Sequence, residues 1–233
     1  MRSLSAAALL LVAPIALGAQ ATPATLDVSK VPASRDSFVI MIQGQEMGYQ
    51  VATVEKTADG LRLTSDQSIM NGMIASKGEI LVGADNAMRS IKSNGVMQGQ
   101  ATSADIAFAA GHAKGKATVP GMGGLEEKAI DVDVPAGVPD QSMLTSILTT
   151  LPLAQGAKYS LPMFNTLKGS VDTLALEVTG AESVTVPAGT FDAWIVNLSG
   201  GAGNGMNLFI SKANPRVLKL APVGQPVEFV LAK

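Results

Sequence analysis

Short apolar segments, broken again and again by Gly, Asn and Asp, run from Phe38 almost to the end of this chain, and only one stretch carries helical periodicity. Phe38 to Ile42, Tyr49 to Lys56, Leu61 to Met70, Ile74 to Val82 and Ala87 to Asn94 read as strands. The turns between them fall at Gly44, Thr57-Ala-Asp-Gly60, Gly83-Ala-Asp-Asn86 and Gly95. Strand, tight turn, strand is the pattern of an antiparallel meander. Lys128 to Val134 alternates cleanly, with Ile130, Val132 and Val134 on one face and Asp131 and Asp133 on the other. Val171 to Val178, Glu182 to Val186, Phe191 to Leu198, Met206 to Ser211, Arg216 to Leu220 and Val227 to Leu231 continue the series. Pro187-Ala-Gly189 reads as a type I turn in a three-residue hairpin loop, with Gly189 at positive φ. Ala101 to Gly124 is less regular and predicts one weak strand pair and a mobile loop.

The exception lies at Pro139 to Leu151. Pro139 suits a first helical turn, Asp140 places a negative charge near its start, and Met143, Leu144, Ile147, Leu148 and Leu151 share one face before Pro152 ends it. One amphipathic helix beside a meander packs on a sheet face. The expected fold is therefore mainly β: a curved antiparallel sheet or half-open β-barrel on one short α-helix.

Before the strands, Arg2, the apolar run Ala6 to Leu17 and the small-x-small triplet Ala19-Gln20-Ala21 have the order of a secretory leader. The expected organisation is a signal peptide over residues 1–21, a flexible tether over 22–37 and a single β-rich domain over 38–233. No later stretch reaches the roughly 20 apolar residues of a membrane helix, so no membrane span is expected. Periplasmic or secreted location follows from the leader.

Composition narrows the chemistry. There are 17 Lys+Arg against 19 Asp+Glu, which offers no electrostatic case for nucleic acid. The absence of Cys excludes disulfides, thiolate metal sites and thiol nucleophiles, and one His, His112, leaves no second imidazole. No G-x-S-x-G, S-x-x-K or H-E-x-x-H occurs. Asp131 and Asp133 stand about 7 Å apart on one strand face, a spacing compatible with a carboxylate pair in a hydrolase, though a solvated face explains it more simply. Gly201 to Gly205 resembles a phosphate cradle only in composition, because a strand and not a helix follows it. No cofactor, metal or catalytic residue is expected, and the chain reads as a non-enzyme. Beyond Met1 there are ten methionines and few aromatics. Core packing accounts for them most simply, an adaptable apolar cavity second, and a Cu(I) site at Met70 and Met73 a distant third.

Gly180-Ala-Glu-Ser-Val-Thr-Val-Pro-Ala-Gly-Thr-Phe-Asp-Ala-Trp194, together with Asn207 to Ser211, Pro215 to Lys219 and Val227 to Leu231, resembles the exported bacterial domain-of-unknown-function 3108 family. Asp140 and Leu151-Pro-Leu-Ala-Gln-Gly156 fit that family's helix and following turn. The resemblance implies a periplasmic, mostly antiparallel sheet curved around a helix, similar to the half-open barrel of outer-membrane lipoprotein carriers. It carries no catalytic residue across. The expected role is binding a lipid, another apolar ligand or an apolar peptide inside the curved sheet, with Met41, Trp194 and Phe209 as lining residues. The alternative is an envelope assembly module that recognises a protein partner without a small ligand.

Overall fold

The rows of side chains that the sheet turns inward explain its shape. The computed structural model describes residues 21–121, 123–201 and 205–233; the leader expected over residues 1–21 lies almost wholly outside them. From the N-terminal side, β1 (Thr22–Pro23), β2 (Ser34–Ile42), β3 (Gln45–Thr57), β4 (Gly60–Ile69) and β5 (Ile74–Gly83) lead into β6 (Met88–Met97), β7 (Gln100–Ala109), β8 (His112–Gly121) and β9 (Gly124–Asp133). A short helical segment follows, a 3-10 turn at Gln141–Met143 running into α1 (Leu144–Leu148). The chain then returns to strands: β10 (Lys158–Asn165), β11 (Ser170–Val186), β12 (Gly189–Gly200), β13 (Met206–Ser211), β14 (Val217–Pro222) and β15 (Val227–Leu231). Among the described residues these strands form one open sheet, in the order β1-β10-β11-β12-β13-β14-β15-β2-β3-β4-β5-β6-β7-β8-β9. Every pairing is antiparallel except the short parallel one between β1 and β10.

Cross-strand partners define the inner face. Val54, Leu63, Ile80, Ile91, Ile106, Gly115 and Ile130 stand opposite one another in succession across seven strands. All but Gly115 are buried. Gly115 is required there, because a Cβ would come within 2.1 Å of the Asp105 carbonyl oxygen. The next inner row is small: Ala52, Ser65, Gly78, Ser93, Ala104 and Ala117. The row beyond is polar, with Gln50, Gln67, Ser76, Gly95 and Thr102. Across β3–β7 the buried apolar row therefore gives way to small and then polar positions, with half-buried Ile69, Ile74 and Met97 beyond them.

The sheet bends until its two ends meet through side chains without joining their backbones. Phe108 on β7 packs edge-to-face on Phe164 of β10, ring centroids 5.3 Å apart. Lys128 Nζ on β9 donates to the Leu167 carbonyl at 3.2 Å. The helical segment fills the space enclosed: Met143, Leu144, Ile147 and Leu148 are all buried, each contributing roughly 1.5–3 kcal/mol of hydrophobic stabilisation.

Four expectations need correction. Residues 22–33 are no flexible tether: Ala24 N donates to Ser160 O at 2.9 Å, Val28 N donates to Asn86 Oδ1 at 2.8 Å, and Ala24, Leu26, Val28 and Val31 are buried. Their alternating small apolar residues seal the roll from the β10 edge to the β5–β6 turn. Ala101 to Gly124 is neither weak nor irregular, since β7, β8 and the start of β9 run through it as ten-residue strands. Its inward positions are Ala104, Ile106, Phe108, Ala113, Ala117 and Val119, and the alanines concealed the alternation. The helix is shorter than its periodicity suggests, because Thr149 and Thr150 turn their hydroxyls back onto the Ser146 and Ile147 carbonyls, both at 2.7 Å, and α1 ends at Leu148. Asp140 caps the 3-10 turn that leads into α1, accepting from Ser142 N at 2.9 Å. Finally, Pro187-Ala188 is a two-residue loop, because Val186 pairs directly with Gly189, whose φ of 137° is positive as expected.

Candidate functional site

A hollow of about 160 Å³ opens where the inner face of β2 and β3 meets the helix and the β13–β14 loop. Its apolar wall is Val31, Pro32, Phe38, Ala52, Val54 and Val217. Alternation places it: Ser34, Asp36 and Phe38 on β2 face inward, paired with Val54, Ala52 and Gln50 of β3. The opposite wall is polar because α1 directs its large side chains into the core and its hydroxyl residues Thr145 and Ser146 to the hollow, joined there by Thr149 just past its end. Thr149 Oγ1 is satisfied locally by the Ser146 carbonyl. Asn214 and Arg216 complete the rim from the β13–β14 loop.

The rim carries one ion pair, Arg216 Nε donating to Asp36 Oδ1 at 2.6 Å, with side chains 38% and 20% exposed. The loop is held at its base: Ser211 N donates to the Arg216 carbonyl at 2.9 Å, and Lys212 N to the Asp192 carbonyl at 2.9 Å. The Lys212 ammonium lies 4.1 Å over the Trp194 ring. Sequence reasoning missed the site because its parts come from three distant segments and none of them forms a motif.

The residues expected to line a cavity are distributed otherwise. Trp194 and Phe209 occupy consecutive rungs of the β12–β13 ladder, opposite Ile210 and Ile195, so they point to opposite faces. Trp194 lies on the inner side, half-buried and clamping Lys212, but does not line the hollow. Phe209 is on the outer face beneath Lys219, whose ammonium is 5.6 Å from its ring. Met41 is also outward, alternating with fully buried Ile40 and standing opposite Glu228. Outside the roll, Ile195, Phe209, Lys219, Val230, Val39 and Tyr49 make a half-apolar row across six strands.

The other chemical candidates resolve into local pairs. His112 Nε2 lies 2.8 Å from Asp131 and Nδ1 2.9 Å from Asp133. Hydrogen bonds to Asp133 first, then Asp131, raise its pKa above the ordinary value, because both carboxylates favour the protonated ring. Asp140 is the reverse case: burial pushes its carboxyl pKa up, while Thr166 Oγ1 at 2.7 Å and the Ser142 hydroxyl donate to it. A trough of about 720 Å³ on the outer face of β2–β7 is polar; within it Arg62 pairs with Glu79 at 2.6 Å and Lys77 with Asp66 at 2.9 Å, and Arg35, Lys92 and Asp105 also line it. Of the methionines, Met88, Met143 and Met163 are buried in the core, whereas Met70 and Met73 flank the exposed β4–β5 turn. Among the described residues no group of His, Asp and Glu has a metal-binding arrangement, and no helix is long and apolar enough to cross a membrane.

The architecture is that of a β-barrel-like domain with an open seam and a short helix inside. The model of the protein family of unknown function DUF3108 matches residues 26–224, and the chain belongs to that family. A solved structure similar in fold is the β-barrel-like protein of domain of unknown function DUF1849 from Brucella abortus. It superimposes with a TM-score of 0.55 at 9% identity, covering 91% of this chain and 96% of that one. A search of curated proteins finds no match.

Proposed function

We propose that this protein is an exported, non-catalytic binding protein of the bacterial envelope that takes the apolar tip of a ligand into the hollow between α1 and β2–β3. The observation behind this reading is that buried Val31, Phe38, Val54 and Val217 reach a solvent-connected space there. Its size limits the occupant. A cavity of about 150 Å³ holds one benzene ring, whereas drug-sized ligands occupy roughly 300–1,000 Å³. A Leu, Met or Phe side chain, or the end of an acyl chain, fits; a whole lipid does not. The residues of the N-terminal leader pattern support export.

The test is thermal melting with 1-hexanol as probe, using the wild type and Val54→Trp, which fills the hollow. Ligand at about 100 times its Kd stabilises by roughly 2.7 kcal/mol, so the wild-type Tm rises and the filled variant's does not. A folded wild type whose Tm is unmoved up to solubility, or a shift equal in both proteins, refutes the assignment. The outer row of Phe209, Val230, Val39 and Tyr49 favours a second reading, recognition of a protein partner through the sheet's outer face; Tyr49 alone is 46% exposed. Tyr49→Glu would then abolish stoichiometric co-purification while leaving hexanol binding intact.

A further inference from the structure

We infer that the hollow recognises a short apolar carboxylate, its tail among Phe38, Val54 and Val217 and its head group on the guanidinium of Arg216; this deepens the reading above and rests on it. Three observations converge. First, Arg216 lines the hollow at the edge of its apolar wall, so a group seated there has a cation within reach of its polar end. Second, the contact with Asp36 uses only Nε, and Nη1 and Nη2 have no protein acceptor among the described residues. That leaves the fork end of the guanidinium, which matches two carboxylate oxygens and is poorly matched by an alcohol or amide. Third, the Ser34, Thr145 and Ser146 hydroxyls and the Asn214 amide line the hollow with no side-chain hydrogen bond within the described chain, and each can donate to a carboxylate seated there.

The ion pair then acts as a placeholder. Asp36 orients the guanidinium across the mouth while the hollow is empty, and an incoming carboxylate shares the same cation from its other side. Asp36 therefore opposes anion binding by charge while favouring it by orientation. Volume sets the tail at about six carbons. Two sources provide this chemistry, a fatty acid and the C-terminal residue of a peptide ending in an apolar side chain.

The experiment is isothermal titration of the full chain with hexanoate and with 1-hexanol, in the wild type, Arg216→Gln, Arg216→Lys and Asp36→Asn, each first shown to melt cooperatively. The expected result is hexanoate binding about 10-fold tighter than hexanol, in line with a charge-assisted bond at a partly exposed site. Arg216→Gln abolishes the preference and Arg216→Lys retains only part of it. Asp36→Asn tightens hexanoate without changing hexanol, a gain that a merely structural ion pair does not give. Equal affinity for the two probes, insensitive to Arg216, overturns the carboxylate inference and leaves the apolar hollow standing; failure of both probes overturns the hollow itself. Source is separated by length: tighter binding of N-acetyl-Gly-Leu than of hexanoate, lost in its C-terminal amide, indicates a peptide terminus. A gain from hexanoate to dodecanoate indicates a fatty acid.

Discussion

Phe108 and Phe164 provide the sharpest perturbation of the rolled sheet. In the order of strands, β10 stands second from one edge and β7 third from the other, so their backbones are separated by almost the full width of the sheet. Only closure of the roll brings the two rings to 5.3 Å in an edge-to-face arrangement. Phe164 is fully buried and Phe108 nearly so. Truncation to Ala should cost about 3–5 kcal/mol at Phe164. The diagnostic quantity is the coupling between Phe108→Leu and Phe164→Leu. An edge-to-face pair contributes about 0.5–1.5 kcal/mol beyond its buried area, so the double variant should be less destabilised than the sum of the singles by that amount. Urea unfolding followed by fluorescence of Trp194, the one tryptophan, measures it, provided the denaturant slope is unchanged. Additivity within about 0.3 kcal/mol would mean that the rings do not touch and that the sheet does not close as described.

Three further outcomes follow from single groups. Gly115→Ala places a methyl 2.1 Å from the Asp105 carbonyl and should destabilise by about 1–3 kcal/mol in the same assay; a neutral result would contradict the close approach of β7 and β8. Burial raises the Asp140 pKa above its unfolded value, so the wild type gains stability as pH falls through the folded-state pKa toward about 3.9. The difference between wild type and Asp140→Asn should grow in the wild type's favour on acidification, and a pH-independent difference in urea midpoint would contradict it. His112, held by Asp133 and Asp131, should titrate above the ordinary 6.5 in proton NMR, with Asp133→Asn lowering it more than Asp131→Asn. Any stabilisation from this exposed cluster is present below the unfolded-state pKa and disappears as pH rises through the folded-state value.

The fold was legible wherever alternation used large side chains. Ile130 and Val132, Phe191 to Leu198 and Met206 to Ser211 showed themselves as strands because contrast between apolar and polar positions is what a half-buried strand requires. β7 and β8 were obscured because Ala104, Ala113 and Ala117 do the same work with little contrast. The segment at 22–33 looked like a tether because Pro23, Pro32 and small polar residues outweighed Leu26, Val28 and Val31, whose burial depends on a seam visible only in three dimensions. The helix's start was readable from Asp140, but its end was set by threonine hydroxyls that compete for backbone carbonyls. For the site, large size proved a poor guide: Met41 and Phe209 face outward and Trp194 braces a loop. The hollow is built instead from Val31, Val54, Thr145 and Arg216, ordinary residues whose convergence is purely tertiary.

Methyl NMR with 1-hexanol examines the binding proposal most directly, since it reports position as well as affinity. Saturable shifts concentrated at the methyls of Val31, Ala52, Val54, Thr145 and Val217 are the expected result. Unchanged spectra at those five residues, or shifts confined to Val39 and Val230 on the outside of the sheet, would contradict it.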